Sequence, residues 1–280
     1  MTMAIYLNGA TTMTTPTALV LEIARETGYA GIEARAERLL KDAVEVRATA
    51  AMVRPGEVLT LNGVALTVQA DGRMDRRLID DDLKPRLQIC QDLRAPYLLA
   101  IPPRAPGLES RRAIPGTRDA LEFARDRADR LGIRVAFEFL GFGDCPINTP
   151  EIASETVDGI DGVELVLDSC HWHASGSQPL DAFPVDRLAL VHLNDAPDKP
   201  PRQIEDEDRV LPGEGVIQLK TLIAALKARR FTGPWSLETF NPGYWKQDPE
   251  DIARRGHAAI EALWRDSPPP PLAGEGPGGG

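Results

Sequence analysis

Four short apolar runs of the chain each end on a side chain that can bind a metal ion. The four side chains are Glu138, Asp168, His192 and Glu238. Three carboxylates and one imidazole suit Mn²⁺, Co²⁺, Zn²⁺ or Mg²⁺, whereas soft metals prefer thiolates. A single acidic residue at a strand end is more often a helix cap or an ion-pair partner, but a cluster of inward-facing carboxylates is unstable without a cation. The pattern therefore predicts that these residues bind one divalent metal ion.

Such a site predicts proton transfer next to a carbonyl group. A divalent ion bound to adjacent hydroxyl and carbonyl oxygens acts as a Lewis acid and acidifies the C–H bond between them. A carboxylate on either face of the substrate can then take and return the proton through a cis-enediolate. Glu138 and Glu238 are the candidates for this catalytic pair, because they end non-neighbouring strands and can flank the substrate. The predicted reactions are isomerisation or epimerisation of a polyol ketone or sugar, and dehydration where the β carbon carries a leaving group.

Two more polar side chains are predicted to contact the substrate. His171 follows Asp168 in a segment that holds two of the chain's four histidines. It is expected in a loop above the site, as a hydrogen-bond donor to the substrate or as an extra ligand. Arg209 is expected in the long loop after the seventh strand, where a guanidinium can bind substrate oxygens or stabilise an oxyanion. His173 is expected to support the site from behind.

Eight strand-like runs alternate with helix-like segments along the chain. Their near-continuous Val, Ile and Leu content is typical of parallel strands buried on both faces. The alternation predicts an α/β fold, a (β/α)8 TIM barrel, with its active site at the carboxyl ends of the strands. A doubly wound open sheet is the alternative, but it normally has fewer strands, and no Gly-rich phosphate loop follows the first run. The predicted strands cover residues 4–10, 31–35, 58–66, 97–102, 134–141, 163–169, 188–195 and 234–240.

The helical signals agree with one barrel domain over residues 1–266. The length of 280 residues fits a single barrel. The predicted helices cover residues 15–28, 80–93, 111–131, 216–230 and 249–264, and a further helix begins near residue 149. Residues 267–280 are rich in proline and glycine, so we expect them to form a disordered tail outside the barrel.

Composition excludes several classes of function. The net charge is −10 and basic residues are not concentrated in any one stretch, which argues against binding nucleic acid. No apolar run approaches the roughly 18 residues that a membrane span needs. Cysteines 90, 145 and 170 are odd in number and widely spaced, and the N-terminal segment does not resemble a signal peptide. We therefore expect a cytoplasmic protein without a disulfide framework, acting on a small-molecule polyol or sugar. The oligomeric state stays open, and a homo-oligomer is one option.

The chain resembles the xylose-isomerase-like (β/α)8 superfamily of sugar isomerases and epimerases, and within it the inosose isomerases of inositol catabolism. The resemblance extends from about Ile5 to about Trp264. It implies the same four metal ligands, the same two catalytic glutamates, and substrate contacts from His171 and Arg209. The implied reaction is the interconversion of keto-inositols through an enediolate. The segments that carry the resemblance are Leu7-Asn-Gly-Ala-Thr-Thr12, Gly28-Tyr-Ala-Gly-Ile-Glu-Ala-Arg35, Ala136-Phe-Glu-Phe-Leu-Gly141, Leu165-Val-Leu-Asp-Ser-Cys-His-Trp-His-Ala-Ser-Gly176, Asp206-Glu-Asp-Arg-Val-Leu-Pro-Gly-Glu-Gly215 and Ser236-Leu-Glu-Thr-Phe-Asn-Pro-Gly-Tyr-Trp245.

One position departs from the inosose isomerase pattern. That subfamily usually has Asn-Glu-Ala-Thr-Thr at the end of strand one, and here Gly9 replaces the glutamate. The loss of this carboxyl bears on how substrate hydroxyls are recognised. The resemblance is therefore closer at the metal ligands than at the residues that recognise the substrate.

Three other functions compete with an isomerase. A lyase on the same metal site would be an inosose dehydratase or a C-glycoside deglycosidase subunit acting on 3-keto-glycosides. Endonuclease IV shares the barrel, but it needs three zinc ions, more histidines and a basic groove, which do not agree with four histidines and a charge of −10. A binding subunit without chemistry is the third, and the presence of Glu138 and Glu238 argues against it.

Overall fold

The computed structural model describes residues 3–267, and within them eight parallel strands form a closed barrel in the order of the chain. Each strand pairs with the next one, and the eighth pairs with the first. This confirms the predicted (β/α)8 fold and all eight predicted strands. The strands are β1 Ile5–Asn8, β2 Gly31–Arg35, β3 Val58–Ala65, β4 Tyr97–Ile101, β5 Arg134–Glu138, β6 Val163–Asp168, β7 Leu188–Leu193 and β8 Trp235–Leu237.

Helices follow the strands and form the outer layer of the barrel. The five helices predicted with both ends occur, each within a few residues of its predicted bounds, and the helix expected near residue 149 begins at Pro150. Thr149 caps its first turn by accepting a hydrogen bond from the backbone N–H of Ile152. The α-helices are α1 Thr17–Glu26, α2 Ala36–Leu39, α3 Ala43–Met52, α4 Arg76–Leu93, α5 Ser110–Asp129, α6 Pro150–Val157, α7 Ser169–Ala174, α8 Leu219–Ala228 and α9 Pro249–Arg265.

Three short helices were not predicted. The helices α2 and α3 lie between β2 and β3, and α3 lacks a continuous apolar stripe because only Glu45, Val46 and Thr49 are buried along it. A periodicity search misses such a helix. The third, α7, begins directly after β6. The expectation that His171 lies in a loop is therefore wrong, since it lies in α7.

Alternation along the strands divides their side chains between two layers. Ala136, Val166 and Leu190 face the barrel interior, where they belong to a small apolar cluster. Their neighbours along the strands pack outwards against the helices in the main core. Two residues further on, each inward-facing position carries a metal-type ligand, because side chains two apart share one face of a strand. The interior is therefore apolar at mid-height and charged at the carboxyl end of the barrel.

The C-terminal helix closes the described part of the chain. Ser267 is buried, and its carbonyl accepts a hydrogen bond from Lys227 Nζ at 2.8 Å. The rest of the predicted tail, residues 268–280, lies outside the described residues. Across residues 3–267, no helix is both long enough and apolar enough to cross a membrane.

Replacing Phe137 by alanine tests the outer core. Its ring lies on β5, is fully buried and packs in the main core. We expect Phe137→Ala to lower the free energy of unfolding by about 3–5 kcal/mol, because the lost burial leaves a cavity. Urea unfolding followed by circular dichroism measures the change. The control is Leu78→Ala, whose side chain is 53% exposed and which should change stability by less than about 0.5 kcal/mol. Equal effects of both substitutions would contradict the packing described.

Candidate metal centre and active site

The four predicted ligands meet at the carboxyl end of the barrel. Glu138, Asp168, His192 and Glu238 are all buried, and one ligand atom from each lies within 4.8 Å of the others. Metal–oxygen and metal–nitrogen bonds of about 2.0–2.2 Å place two ligand atoms of one ion at most about 4.4 Å apart. Side-chain shifts of a few tenths of an ångström would therefore bring the four donors to bonding distance of one ion.

Asp168 is oriented by the helix that follows it. Its Oδ1 accepts the backbone N–H of His171 at 2.8 Å, so it is also the N-cap of α7. Its Oδ2 accepts hydrogen bonds from Asn194 Nδ2 at 2.7 Å and from Arg209 Nη1 at 3.1 Å. In register, Asp168 pairs with His192 on β7. The carboxylate therefore has a fixed position beside the imidazole.

The imidazole of His192 lies between carboxylates on both of its edges. Its Nδ1 is 2.7 Å from Glu138 Oε1 and 3.3 Å from Glu238 Oε2. Its Nε2 is 3.1 Å from Oε1 of Glu33, a fully buried residue of β2. Burial opposes protonation of this ring, but the surrounding carboxylates hold the pKa of His192 well above its usual value.

The donor arrangement around His192 fits a metal ion. In the neutral ring that donates a hydrogen bond from Nε2 to Glu33, the lone pair of Nδ1 faces the carboxylates of Glu138 and Glu238. A proton or a metal cation has to lie between them, since like charges so close and so buried are otherwise costly. Three carboxylates with one imidazole are donors that a hard or borderline divalent ion accepts. The four residues therefore form a cluster that can hold one metal ion.

Glu238 accepts hydrogen bonds from three side chains. Its Oε1 accepts hydrogen bonds from Asn8 Nδ2 at 3.0 Å and from Arg35 Nη1 at 3.2 Å. Its Oε2 accepts a hydrogen bond from Arg209 Nη1 at 2.9 Å. Burial and the nearby Glu138 raise the pKa of Glu238 to about 7, against the effect of the arginines and His192. A divalent cation among the ligands would act in the opposite direction and keep the carboxylate ionised.

Arg209 is buried in a loop that is held by backbone hydrogen bonds. Asp195, at the end of β7, accepts the backbone N–H groups of Ala196, Gly213 and Ile217 at 2.9, 3.0 and 2.8 Å. Gly215 lies so close to this strand end that a Cβ would be 2.2 Å from the Ala196 carbonyl oxygen. The Pro212-Gly-Glu-Gly segment is thus a tight turn that fixes the loop and holds Arg209 against the ligands.

The imidazole of His171 contacts Arg209 rather than one of the four candidate ligands. Arg209 Nη2 lies 3.0 Å from His171 Nε2. Because a guanidinium can only donate, Nε2 must accept, and the hydrogen of the neutral ring is on Nδ1. Burial lowers the pKa of His171, which agrees with a neutral ring. His173, expected behind the site, has its Nδ1 3.4 Å from Ser177 Oγ.

A cavity of about 380 Å³ opens above the ligands. Glu138, Glu238, His171 and Arg209 line it together with apolar side chains from β3, from β4 and from the loops after β4, β5 and β8. At its rim, Arg104 Nε is 2.8 Å from Asp144 Oδ2, so the loops after β4 and β5 are joined by an ion pair. All six residues predicted from the sequence are therefore brought together at this end of the barrel. The apolar lining residues are Ala65, Leu99, Ile101, Pro102, Leu140, Phe142 and Phe240.

Comparison with known proteins identifies the family. A family model described as Xylose isomerase-like TIM barrel matches residues 21–263. The chain belongs to this family. It is 30% identical over 261 residues to a protein of Bacillus velezensis named inosose isomerase, with 87% of this chain and 90% of that protein covered. The predicted resemblance is confirmed, and so is the prediction of an enzyme.

A solved structure in the family extends the comparison. The chain is 29% identical to the IolI protein, whose crystal structure is described as having a binding zinc atom. The TM-score is 0.86, and 95% of this chain and 99% of that chain are covered. A more limited match is the 3-dehydroshikimate dehydratase of Pseudomonas aeruginosa, 32% identical over 132 residues, which are 45% of this chain and 21% of that protein.

Several polar residues that contact the ligand cluster were missed from the sequence. Glu33 contacts His192, Asn8 bridges Glu33 and Glu238, and Asn194 contacts Asp168. A charged residue in the middle of a short strand run, between Ile32 and Ala34, was the available signal for Glu33. The two asparagines gave no such signal, because asparagine is common at strand ends for reasons of turn formation.

The three cysteines give a test of burial at this end of the barrel and elsewhere. Cys90, Cys145 and Cys170 are free and buried, and burial raises the pKa of each thiol to about 12. A thiol reacts as its thiolate, which is scarce far below the pKa. At about pH 8 we therefore expect no rapid reaction of the native protein with a thiol-specific disulfide reagent. Three thiols should react after unfolding in guanidinium, and rapid reaction of native Cys170 would contradict the described packing.

Proposed function

We propose that the chain is a divalent-metal-dependent isomerase or epimerase of a polyol ketone, of the keto-inositol type. The observation that carries the proposal is the buried cluster of three carboxylates and one imidazole beneath a cavity. Relatives named inosose isomerase support the choice of reaction. At about 380 Å³, the cavity lies at the small end of the range of about 300–1,000 Å³ for ligand pockets, which suits one sugar-sized ring.

Glu138, Asp168, His192 and Glu238 would hold the metal ion. When bound, the ion supplies Lewis-acid polarisation of a carbonyl and its neighbouring hydroxyl, which acidifies the C–H bond between them. One glutamate of the Glu138 and Glu238 pair takes that proton, and the C–H electron pair passes into a cis-enediolate. Return of the proton to the former carbonyl carbon, with transfer of the neighbouring hydroxyl proton to the former carbonyl oxygen, gives the isomeric ketone, and return of the proton to the original carbon from the other face gives an epimer.

His171 and Arg209 would bind the substrate oxygens. Both line the cavity, and Arg209 Nη2 holds the neutral imidazole with its hydrogen on Nδ1. Arg209 also contacts Asp168 and Glu238 through Nη1. In this arrangement Arg209 sets the position of His171 relative to two of the ligands, and donates to the oxygen on which negative charge develops.

Charge in the cavity favours a neutral substrate. The three arginines that line it are each paired with carboxylates: Arg35 with Glu37 and Glu238, Arg104 with Asp144 and Glu205, and Arg209 with Asp168, Asp206 and Glu238. A substrate carboxylate would have to compete with these partners and would meet further negative charge. The pairing therefore supports a polyol ketone over 3-dehydroshikimate, which is an acid.

Isotope exchange tests the reaction. The metal-loaded protein is incubated with scyllo-inosose in D₂O, and the products are followed by NMR and mass spectrometry. We expect an isomeric ketone that carries solvent deuterium on carbon, because a carboxylate that exchanges with solvent returns the proton. Protein treated with a chelator should be inactive until Mn²⁺, Co²⁺ or Zn²⁺ is added back.

The other outcomes of this experiment separate the alternatives. Loss of water from scyllo-inosose would support a dehydratase instead. Turnover of 3-dehydroshikimate but not of scyllo-inosose would contradict the charge argument and the proposal. A boiled sample corrects for spontaneous exchange next to the ketone.

Glu238→Gln tests the acid/base role. The substitution keeps the size of the side chain and removes its proton-accepting charge, so we expect turnover to fall by about 10²–10⁴-fold. Metal content is measured in the same sample, because glutamine is also a poorer ligand. The matched control is Glu164→Gln, an interior carboxylate of β6 that pairs with Tyr97 and Arg134 instead. Unchanged turnover in Glu238→Gln would contradict the acid/base role of Glu238 and the proposed mechanism.

A further inference from the structure

Glu33 is a fully buried carboxylate that is not one of the four candidate ligands but contacts the ligand histidine directly. It lies on β2, two strands away from the nearest ligand-bearing strand, β8, across β1. Its Oε1 is 3.1 Å from His192 Nε2, and its Oε2 accepts Thr60 Oγ1 at 2.6 Å. Asn8 Nδ2 donates to Glu33 Oε1 at 3.1 Å and to Glu238 Oε1 at 3.0 Å. Glu33 is thus tied to two of the four ligands.

The side of the ring on which Glu33 lies decides what it can do. Two of the candidate ligands lie at His192 Nδ1, where Glu138 Oε1 is 2.7 Å and Glu238 Oε2 is 3.3 Å away. Glu33 meets the opposite nitrogen. A carboxylate there can accept only from an Nε2–H group, and a neutral imidazole with hydrogen on Nε2 has its lone pair on Nδ1. Contact with Glu33 therefore selects the tautomer whose free nitrogen faces Glu138 and Glu238.

We propose that Glu33 is a positioning residue for the metal centre, which sets the tautomer and the ring orientation of His192 and makes Nδ1 the ligand atom. The inference rests on the metal site of the proposed function. Its physical basis is that a carboxylate hydrogen-bonded to the second nitrogen of a ligand histidine fixes the ring and increases its basicity. Thr60 and Asn8 hold the carboxylate in place, and Asn8 relates its position to that of Glu238.

The test measures metal affinity rather than activity. Apo protein is titrated with Zn²⁺ against a chromophoric chelator, and binding of Co²⁺ is followed by its visible absorption. Glu33→Gln keeps an oxygen that can accept from Nε2–H, so we expect about 10-fold weaker binding. Glu33→Leu removes the acceptor, and we expect about 100-fold weaker binding. The control Glu164→Gln, at the other end of the interior, should bind within about twofold of the wild type.

A double substitution shows whether Glu33 acts through His192. In the His192→Ala background, adding Glu33→Leu should change the zinc affinity by no more than about twofold, because the ring that Glu33 positions is gone. A full additional loss would show that Glu33 acts by another route and would overturn the inference. Thermal melts of the apo proteins check that each variant is folded, and Glu33→Gln, which is isosteric, keeps the test valid if Glu33→Leu does not fold.

The tautomer itself is observable. In zinc-loaded protein labelled with ¹⁵N-histidine, we expect the hydrogen of His192 on Nε2, protected from exchange by Glu33. In Glu33→Leu this hydrogen should exchange faster. Wild-type zinc affinity in both Glu33 variants would overturn the inference and leave the proposed function intact. Failure of the wild-type protein to bind zinc, cobalt or manganese would overturn the metal site and this inference together.

Discussion

The imidazole of His192 is buried between carboxylates on both edges, and the charged end of the barrel depends on how that arrangement is neutralised. Glu138 and Glu238 lie beside one nitrogen of the ring, and Asp168 belongs to the same cluster. Glu33 lies beside the other nitrogen. Negative charge at this density cannot stay in a barrel interior without positive charge between the groups. Arg35 and Arg209 supply part of it. The space between the four ligands is where a divalent cation would supply the rest.

The barrel makes this arrangement possible because the residues that stabilise the fold are different from those that form the site. The outer core between strands and helices and the apolar cluster at mid-height hold the strands in register. The four candidate ligands occupy the last inward-facing positions of β5, β6 and β7 and the position directly after β8. These positions converge because the strands are parallel and the barrel is closed. The loops then add what the strands do not carry. Arg209 comes from a loop held by Asp195, and His171 from a short helix capped by Asp168.

Much of the site could be predicted because its ligands lie at strand ends. An apolar strand run that ends in Glu, Asp or His can be recognised in the sequence, and eight strand runs imply the closed ring that brings the four such ends together. The partners of those ligands were harder to predict. Glu33, Asn8 and Asn194 act through contacts between residues 25 or more positions apart, and no spacing along the chain reports which polar side chains will meet across a barrel.

The sequence by itself predicted the fold class, the four candidate ligands and the candidate acid/base pair, since each of these predictions depends on local periodicity and on the chemistry of single side chains. Tertiary structure alone decided which nitrogen of His192 faces the ligands, that His171 is held by Arg209 on a helix, and that every arginine in the cavity is already paired. These are properties of angles and distances between strands that are remote along the chain. Closure of the barrel sets them, and closure is a property of all eight strands together.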